Sequence, residues 1–404
     1  MTASLLRPSA RAQAVSPFHV MRILDRAKTL ERQGRDVIHM EVGEPDFPTP
    51  EPVIAAARRA LEDQAMGYTP AAGLPELRGA IAGWYGRRYG LDLDPRRVIV
   101  TPGGSGALQL VLAALLEPGD GVLVTDPGYP CNRHLVSIAG GRAIPLPVMA
   151  DDDFQPTVEA VAARWHHQVR ALMVATPANP TGSVLTPATL HALHDLVSAR
   201  GGGLIVDEIY QGLVYEAEDH TALAGDSDAL FVINSFSKFF GMTGWRLGWV
   251  VAPPGFVEVL ERLAQNLFLA PPTLSQYGAL GALDPGTLPL LETRRQEFRR
   301  RRDALLAALA PAGFEVPVTP VGAFYVYARL PRGLPTALDV AEVLLEDVGV
   351  AITPGLDFGT HATDRMVRFA YTLPIERLRE GVERIITARF SDIAVSSGRT
   401  STSY

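Results

Sequence analysis

Lysine is almost absent from this chain. Among 404 residues there are two, Lys28 and Lys238, against thirty-five arginines. Cysteine is scarcer still. A single Cys131 rules out a disulfide framework within the chain and suits a reducing compartment, so cytoplasmic residence is expected. No apolar run reaches the roughly twenty residues that a membrane helix needs, so no membrane partner is expected. An excess of positive charge is also missing. With a net charge of −7 and a pI near 5.8, a nucleic-acid partner is not expected either. The one basic run, Arg299 to Arg302, lies in "LLETRRQEFRRRRDALLAALA" and reads as the solvated face of an amphipathic helix. Metal-ligand spacing is lacking as well. His166 and His167 are adjacent and cannot share a helix face. His191 and His194 can share one, but they have no HExxH pattern and no evident third ligand. They read as a solvated helix face, and no metal is expected.

The near-absence of lysine sharpens one position. Lys238 sits in "NSFSKFFGMTGWRLGW", among serines, glycines and aromatics. Everywhere else but position 28 the chain uses arginine for a positive charge. An arginine stays protonated at any ordinary pH. A partly buried lysine can lose its proton and act as base or nucleophile.

At 43.5 kDa, with 47% hydrophobic and 20% charged residues, the chain reads as globular and too long for one ordinary core. From about Arg97 to Ala252, short β-rich runs recur: "RVIVT", "GVLVTD", "RAIPLPV", "ALMVAT", "GLIVDE", "LFVINS" and "LGWVVA". Helix-compatible stretches such as "ALQLVLAALLE" separate several of them. Apolar, unalternating strands with intervening helices predict an α/β fold: a doubly wound, mostly parallel seven-stranded sheet. Beyond about Pro285, a long helical pattern is followed by "GAFYVYARL", "ALDVAEVLLEDV", "MVRFAYT" and "PIERLREGVERIITARF". This alternation predicts a smaller α+β domain, with one more strand near Asp36–Val42 packed close to it. The expected division is a flexible arm at 1–16, a segment at 17–48 packing with the small domain, a large domain at 49–285, a small domain at 286–392 and a flexible tail at 393–404.

Ligands of such sheets bind beyond the carboxyl ends of the strands. Polar residues that follow each strand should therefore gather. After "RVIVT" comes "PGGSGALQL", where Gly103, Gly104, Ser105 and Gly106 open a helix whose N-terminus suits a phosphate. After "GVLVTD" comes Tyr129, placed to stack on a planar ligand or simply to close a loop. Asn179 follows "ALMVAT" before a Pro-Thr-Gly turn. Asp207 ends "GLIVD" with Tyr210 beyond it; a carboxylate after a buried strand needs a cationic partner, or else caps a helix. Ser235, Ser237 and Arg246 surround Lys238 and suit a phosphate dianion. The set asks for a ligand with a phosphate, a flat ring, a basic ring nitrogen and an electrophile for an amine. Pyridoxal 5′-phosphate has all four.

These stretches, with "VGEPDFPTP", "YTPAAGLPELR", "NPTG", "DEIY", "GAFY", "PGLDFG" and "VRFAY", give the chain a resemblance to the class I/II aminotransferases of the aspartate aminotransferase superfamily, fold type I pyridoxal-phosphate enzymes. The resemblance runs from about Phe18 to Phe390. It implies that Lys238 holds the cofactor as a Schiff base and later moves the substrate's α-proton. It implies that Asp207 keeps the ring nitrogen protonated, that Asn179 and Tyr210 meet the ring hydroxyl oxygen, and that Tyr129 stacks on the ring. Gly104, Ser105, Gly106, Ser235, Ser237 and Arg246 match the phosphate cup. Tyr68 resembles a tyrosine that reaches the phosphate of a neighbouring subunit, which implies a homodimer with shared sites. Arg368 resembles the arginine that forks the substrate carboxylate, with Gly43 and Asn179 beside it. The implied reaction moves an amino group between an L-amino acid and a 2-oxo acid in two half-reactions.

Some aspartate-preferring relatives carry a lysine where this chain has Ser105, so acidic donors are not favoured. Phe18 is available for an apolar lid, and a neutral or aromatic donor with 2-oxoglutarate or pyruvate as acceptor is expected. A carbon–sulfur β-lyase would use the same fold and cofactor contacts. A regulator with a cofactor-sensing domain normally carries a DNA-binding domain, for which the short N-terminal arm leaves no room.

Overall fold

The computed structural model describes residues 6–225 and 228–388. Its centre is a seven-stranded sheet built from β2 (Val98–Thr101), β3 (Gly121–Asp126), β4 (Arg142–Pro147), β5 (Val169–Ala175), β6 (Gly203–Asp207), β7 (Leu230–Ser235) and β8 (Gly248–Val251). The order across the sheet is β2-β8-β7-β6-β5-β3-β4, and only β8 runs antiparallel to its neighbours. All seven expected strands are present. β4 carries Pro145 and Pro147 and takes an edge, where a missing N–H costs no ladder bond.

The sheet is buried on both faces, which is why its strands do not alternate apolar with polar. In β6, Leu204 and Val206 pack into one core with Leu190, Leu193 and Val197 of the helix Pro187–Ala199. Ile205, between them, packs into the other with Leu108, Val111 and Leu112 of the helix Gly103–Leu115. The parallel strands end nearly flush: Ala175 stands opposite Asp207, and Asp207 opposite Ile233. The reversal of β8 matters here. Ser235, at the end of β7, pairs with Gly248 at the start of β8, so the residues just before β8 join the same edge.

Two smaller sheets flank the first. β9 (Tyr325–Arg329), β11 (Thr353–Pro354) and β12 (Met366–Ala370) form an antiparallel sheet in the order β11-β12-β9. β1 (Ile38–His39), the expected extra strand, pairs in parallel with β10 (Val350–Ala351). In the expected flexible arm, Ala10–Gln13 form a short helix capped by Ser9, and Arg11 donates to Ile138 O at 3.2 Å. The expected tail at 393–404 lies outside the described residues.

The basic run needs correction. In the 22-residue helix Leu288–Leu309, Arg299 and Arg300 are exposed, but Arg301 and Arg302 are each only 4% exposed. Arg301 donates to Asp46 Oδ1 and Thr372 O, both at 2.7 Å, and Arg302 pairs with Glu216 and Asp303. Buried arginine is tolerated where every charge meets a partner, and apart from the adjacent Asp303 these partners come from distant segments that the sequence cannot align. His194 is corrected too: it is largely buried, with Nε2 3.1 Å from Ser198 Oγ, while His191 remains exposed.

Candidate active site

A cavity opens at the carboxyl ends of β5, β6 and β7. Gly43, Gly104, Ser105, Tyr129, Asn179 and Asp207 line it, together with Tyr210, Ser237, Lys238, Arg246 and Arg368. Eleven of the fourteen expected site residues thus meet in one place. Gly106, Ser235 and Tyr68 are not in the lining.

Lys238 lies in the turn after β7. Its Nζ donates to Gly43 O at 2.7 Å and stands 5.9 Å from the Tyr210 ring centre and 5.6 Å from that of Phe324. Burial pulls its amine down from 10.5 to about 8; Glu44 opposes that shift, while Arg368 and Arg246 reinforce it. A substantial fraction of the amine is therefore neutral near pH 8. Arginine would supply no such form.

Asp207 is 4% exposed, and its Oδ1 accepts from Ile209 N at 3.0 Å. The residues after it form turns, so it caps no helix. No cation pairs with it among the described residues, and burial raises its carboxyl from 3.8 to about 6. Across the cavity, Arg368 on β12 is 5% exposed. Its guanidinium donates to Asn179 Oδ1 at 2.8 Å, Thr353 Oγ1 at 3.3 Å and Glu41 O. It lies over the rings of Tyr325 at 4.2 Å and Phe358 at 4.8 Å. Its Nε is buried without a partner, and no carboxylate faces it among the described residues. The site thus holds a negative group and a positive group that are both buried and both uncompensated. That arrangement is costly unless a ligand brings the opposite charges.

A third feature is the anion cradle. The helix Gly103–Leu115 starts at the cavity wall. Gly248 is required for that approach, because a Cβ there would stand 2.7 Å from Gly103 C and Gly104 N. Arg246 has φ 50 and ψ 55, and its Nη1 donates to Thr243 O at 3.1 Å, with Ser237 Oγ 3.4 Å away. Ser235 stands behind: its hydroxyl donates to Leu247 O at 3.1 Å and can accept from Ser237 Oγ, 3.0 Å away. It orients Ser237 from behind the cavity wall. Gly106, one residue deeper in the helix, packs against Pro102 and Thr101.

Several residues were missed. Tyr325, in "GAFY", bonds Tyr210 Oη through its own hydroxyl at 2.8 Å. It also explains Gly43, where a Cβ would stand 1.7 Å from the Tyr325 oxygen. Leu108, Val20, Met21 and Phe358 line the cavity with Phe18, which had been noted as a lid. The only sequence signals for Tyr325 and Phe358 were their places in "GAFY" and "PGLDFG"; nothing local marked Val20 or Met21. Tyr68 is 86% exposed. Among the described residues, no cluster could hold a metal ion and no helix is long and apolar enough to cross a membrane.

This geometry is that of a transaminase scaffold, and comparison with known proteins agrees. Residues 35–385 match the family described as aminotransferase class I and II, and the chain belongs to that family. It is 38% identical over 372 residues to the valine–pyruvate aminotransferase of Mycobacterium tuberculosis, covering 92% of this chain and 96% of that relative. It is 37% identical over 378 residues to the aspartate/prephenate aminotransferase of Thermus thermophilus, covering 93% and 97%. Among solved structures, an aminotransferase from Mycobacterium tuberculosis superposes with a TM-score of 0.91 at 37% identity, over 96% of this chain and 100% of the other. The aspartate aminotransferase of Thermus thermophilus with maleate gives 0.90 at 37% identity, over 95% and 100%. The protein is an aminotransferase of fold type I, a family that uses pyridoxal phosphate.

Proposed function

We propose that this aminotransferase binds pyridoxal 5′-phosphate at Lys238 and takes its amino group from a neutral, apolar or aromatic L-amino acid, passing it to a small 2-oxo acid such as pyruvate or 2-oxoglutarate. The single observation that carries the reading is the uncompensated pair, Asp207 and Arg368, in one cavity with an amine whose proton is loosely held. A cationic ring nitrogen satisfies the first and a substrate carboxylate the second.

Pyridoxal phosphate, when bound, supplies the electron sink that lets the α-C–H bond of an amino acid break. The chain's own groups do the rest. Lys238 Nζ would be the residue that holds the cofactor, and as a neutral amine it would take the α-proton and return it. Asp207 holds a proton on the ring nitrogen. Asn179 and Tyr210 orient the ring oxygen, and Tyr129 covers a ring face. Gly104 and Ser105 at the helix start, Ser237 and Arg246 would hold the phosphate, with Ser235 fixing Ser237 from behind. Arg368 forks the substrate carboxylate, and Asn179 and the Gly43 backbone help position it.

The donor preference rests on what lines the remaining wall. Phe18, Val20, Met21, Leu108 and Phe358 are apolar, Ser105 is neutral, the Asp357 carboxylate is engaged by the amides of His19 and Val20, and among the described residues no cation beyond Arg246, Arg368 and Lys238 lines the cavity. A side-chain carboxylate would find no partner there. The first relative's printed activity, with valine and pyruvate, fits that wall. A homodimer is part of the proposal. Tyr68 is exposed beside Met66, on a loop whose Gly67 O accepts from Thr273 Oγ1 at 2.8 Å, which leaves its ring free to serve a second subunit. Cytoplasmic residence is also part of the proposal; a lone cysteine suits a reducing compartment. The division into a large domain at 49–285 and a small domain at 286–392 with 17–48 is also proposed; the pairing of β1 with β10 supports it.

The test is a visible absorption spectrum of the purified protein with pyridoxal phosphate, before and after each of a panel of amino acids. A band that bleaches with apolar donors and returns with a 2-oxo acid supports the reading. Release of ammonia without any oxo-acid requirement would turn it toward a β-lyase, and no band at all would remove Lys238 from its role.

A further inference from the structure

The helix His19–Arg32 begins at the cavity without a cap of its own. Its first residue follows Phe18, which offers no side-chain acceptor, and its first turn contains no acid. The leading N–H groups of a helix have no partner within it. Here they find one from the far end of the chain. Asp357, 2% exposed, accepts from His19 N at 2.7 Å through Oδ1 and from Val20 N at 2.8 Å through Oδ2. A carboxylate at this end of a helix is favoured by the dipole, and bonds to a charged acceptor are about twice as strong as neutral ones.

The acceptor is itself held. Arg133 Nη2 donates to Asp357 O at 2.8 Å, and Gly128 N donates to Phe358 O at 2.8 Å, so the turn Gly355–Asp357 is tied to the segment after β3. The helix, by contrast, has little else to fix its first turn. Its first buried residue is Ile23, and Met21 is 48% exposed. The Phe18 ring also stands against His134, with centroids 6.1 Å apart, and Phe18, His19 and Val20 are half-buried. Yet this loosely anchored turn carries Phe18, Val20 and Met21, which wall the active-site cavity. Ser16, Pro17 and His19 cover a neighbouring cavity that shares Tyr129, Asp357 and Phe358 with the first.

We infer that Asp357 is a positioning residue for donor binding: its carboxylate latches the start of the helix His19–Arg32 across the cavity and so sets the affinity for the donor side chain. The inference rests on the proposed function above, since it assigns the apolar wall to the donor. Without the carboxylate, the amides of His19 and Val20 lose their acceptor, and the turn loses the two bonds that tie it to Asp357.

The test uses the holoenzyme and its Asp357→Ala and Asp357→Asn variants, with Thr186→Ala as control. Thr186 caps the helix Pro187–Ala199 through Thr189 N at 3.1 Å and does not line the cavity. Three readouts are taken: amide exchange of the peptide spanning 18–24, the visible band of bound pyridoxal phosphate, and kcat and KM for the best apolar donor. For Asp357→Ala the expected result is exchange faster by about ten-fold, an unchanged band, KM raised about ten-fold and kcat within about two-fold, the scale of a lost helix cap. Asp357→Asn, which keeps the size and one acceptor, should fall between and carries the test if the alanine variant does not fold. Unchanged exchange overturns the latch. Faster exchange with an unchanged KM overturns its role in donor binding, as does an equal rise in KM for Thr186→Ala. A wild-type protein that takes up no pyridoxal phosphate defeats the functional reading itself, and the inference with it, before any variant is measured.

Discussion

Replacing Asp207 by asparagine should make the cofactor-free protein more stable and the enzyme nearly inactive. Asp207 is held at about 6 against an ordinary 3.8, a difference of about two pH units. At roughly 1.4 kcal/mol per unit, keeping it charged costs the folded state about 3 kcal/mol above pH 6. The sign follows from proton counts. Between 3.8 and 6 the folded chain still holds a proton that the unfolded chain has released, so stability falls as pH rises through that window. Asparagine keeps the acceptor for Ile209 N and removes the charge. For a chain of 404 residues, about 3 kcal/mol corresponds to roughly 3–4 °C in Tm. Thermal melts of the cofactor-free forms at pH 8 and pH 4 measure it. The variant should melt about 3 °C higher at pH 8, with the gap closing by pH 4. Pyridoxal phosphate should reverse the order, and kcat/KM should fall by about 10²–10³. A wild-type cofactor-free protein at least as stable as the variant at pH 8 would refute the claim that Asp207 waits uncompensated for a cation.

Three further outcomes follow from the same geometry. Uptake of pyridoxal phosphate by the cofactor-free protein should track the neutral fraction of Lys238, rising through about pH 8 and levelling above it, rather than rising toward 10.5; stopped-flow absorbance over pH 6–10 checks this. Arg368→Lys should raise donor KM by roughly ten- to a hundred-fold, because a lysine cannot fork a carboxylate and one charged hydrogen bond is worth about 1.5–3 kcal/mol; steady-state kinetics on an apolar donor give the answer. Gly43→Ala should lower Tm by about 1–4 °C and turnover by at least about ten-fold, since a Cβ 1.7 Å from the Tyr325 oxygen must displace either that ring or the carbonyl that Lys238 meets; melts and initial rates report both effects.

Much of this was legible in the residues. The seven strands of the large sheet were marked by unalternating apolar runs, and the rule that ligands sit at strand ends brought Asp207, Asn179 and Lys238 together before any coordinates. What the sequence hid depended on folding across distance. Arg301 and Arg302 look like part of a solvated run until Asp46, Glu216 and Thr372 are brought to them. Ser235 looks equivalent to Ser237, yet the pleat turns it inward to Leu247. Arg246 was legible from its place beside Lys238; only the reversal of β8 that brings it there was not, because periodicity carries no sign of strand direction. Val20 and Met21 read as ordinary helix residues, because the acceptor that fixes their turn lies more than three hundred positions away.

The pairing of β1 with β10, and the bond from Arg368 to Glu41 O, have a consequence for the order in which the enzyme can be made. The cofactor-side residues from Gly103 to Arg246 lie on contiguous sheet, and a ribosome releases them in sequence. The side proposed to bind the substrate carboxylate is different. Its first strand emerges among the earliest residues and must wait, unpaired, while some three hundred more are synthesised, until Val350 and then Arg368 arrive. A nascent or prematurely ended chain could therefore fold its central sheet and still have nothing to grip a substrate. If Arg368 grips the substrate as proposed, competence to bind an amino acid waits until it has reached Glu41 O.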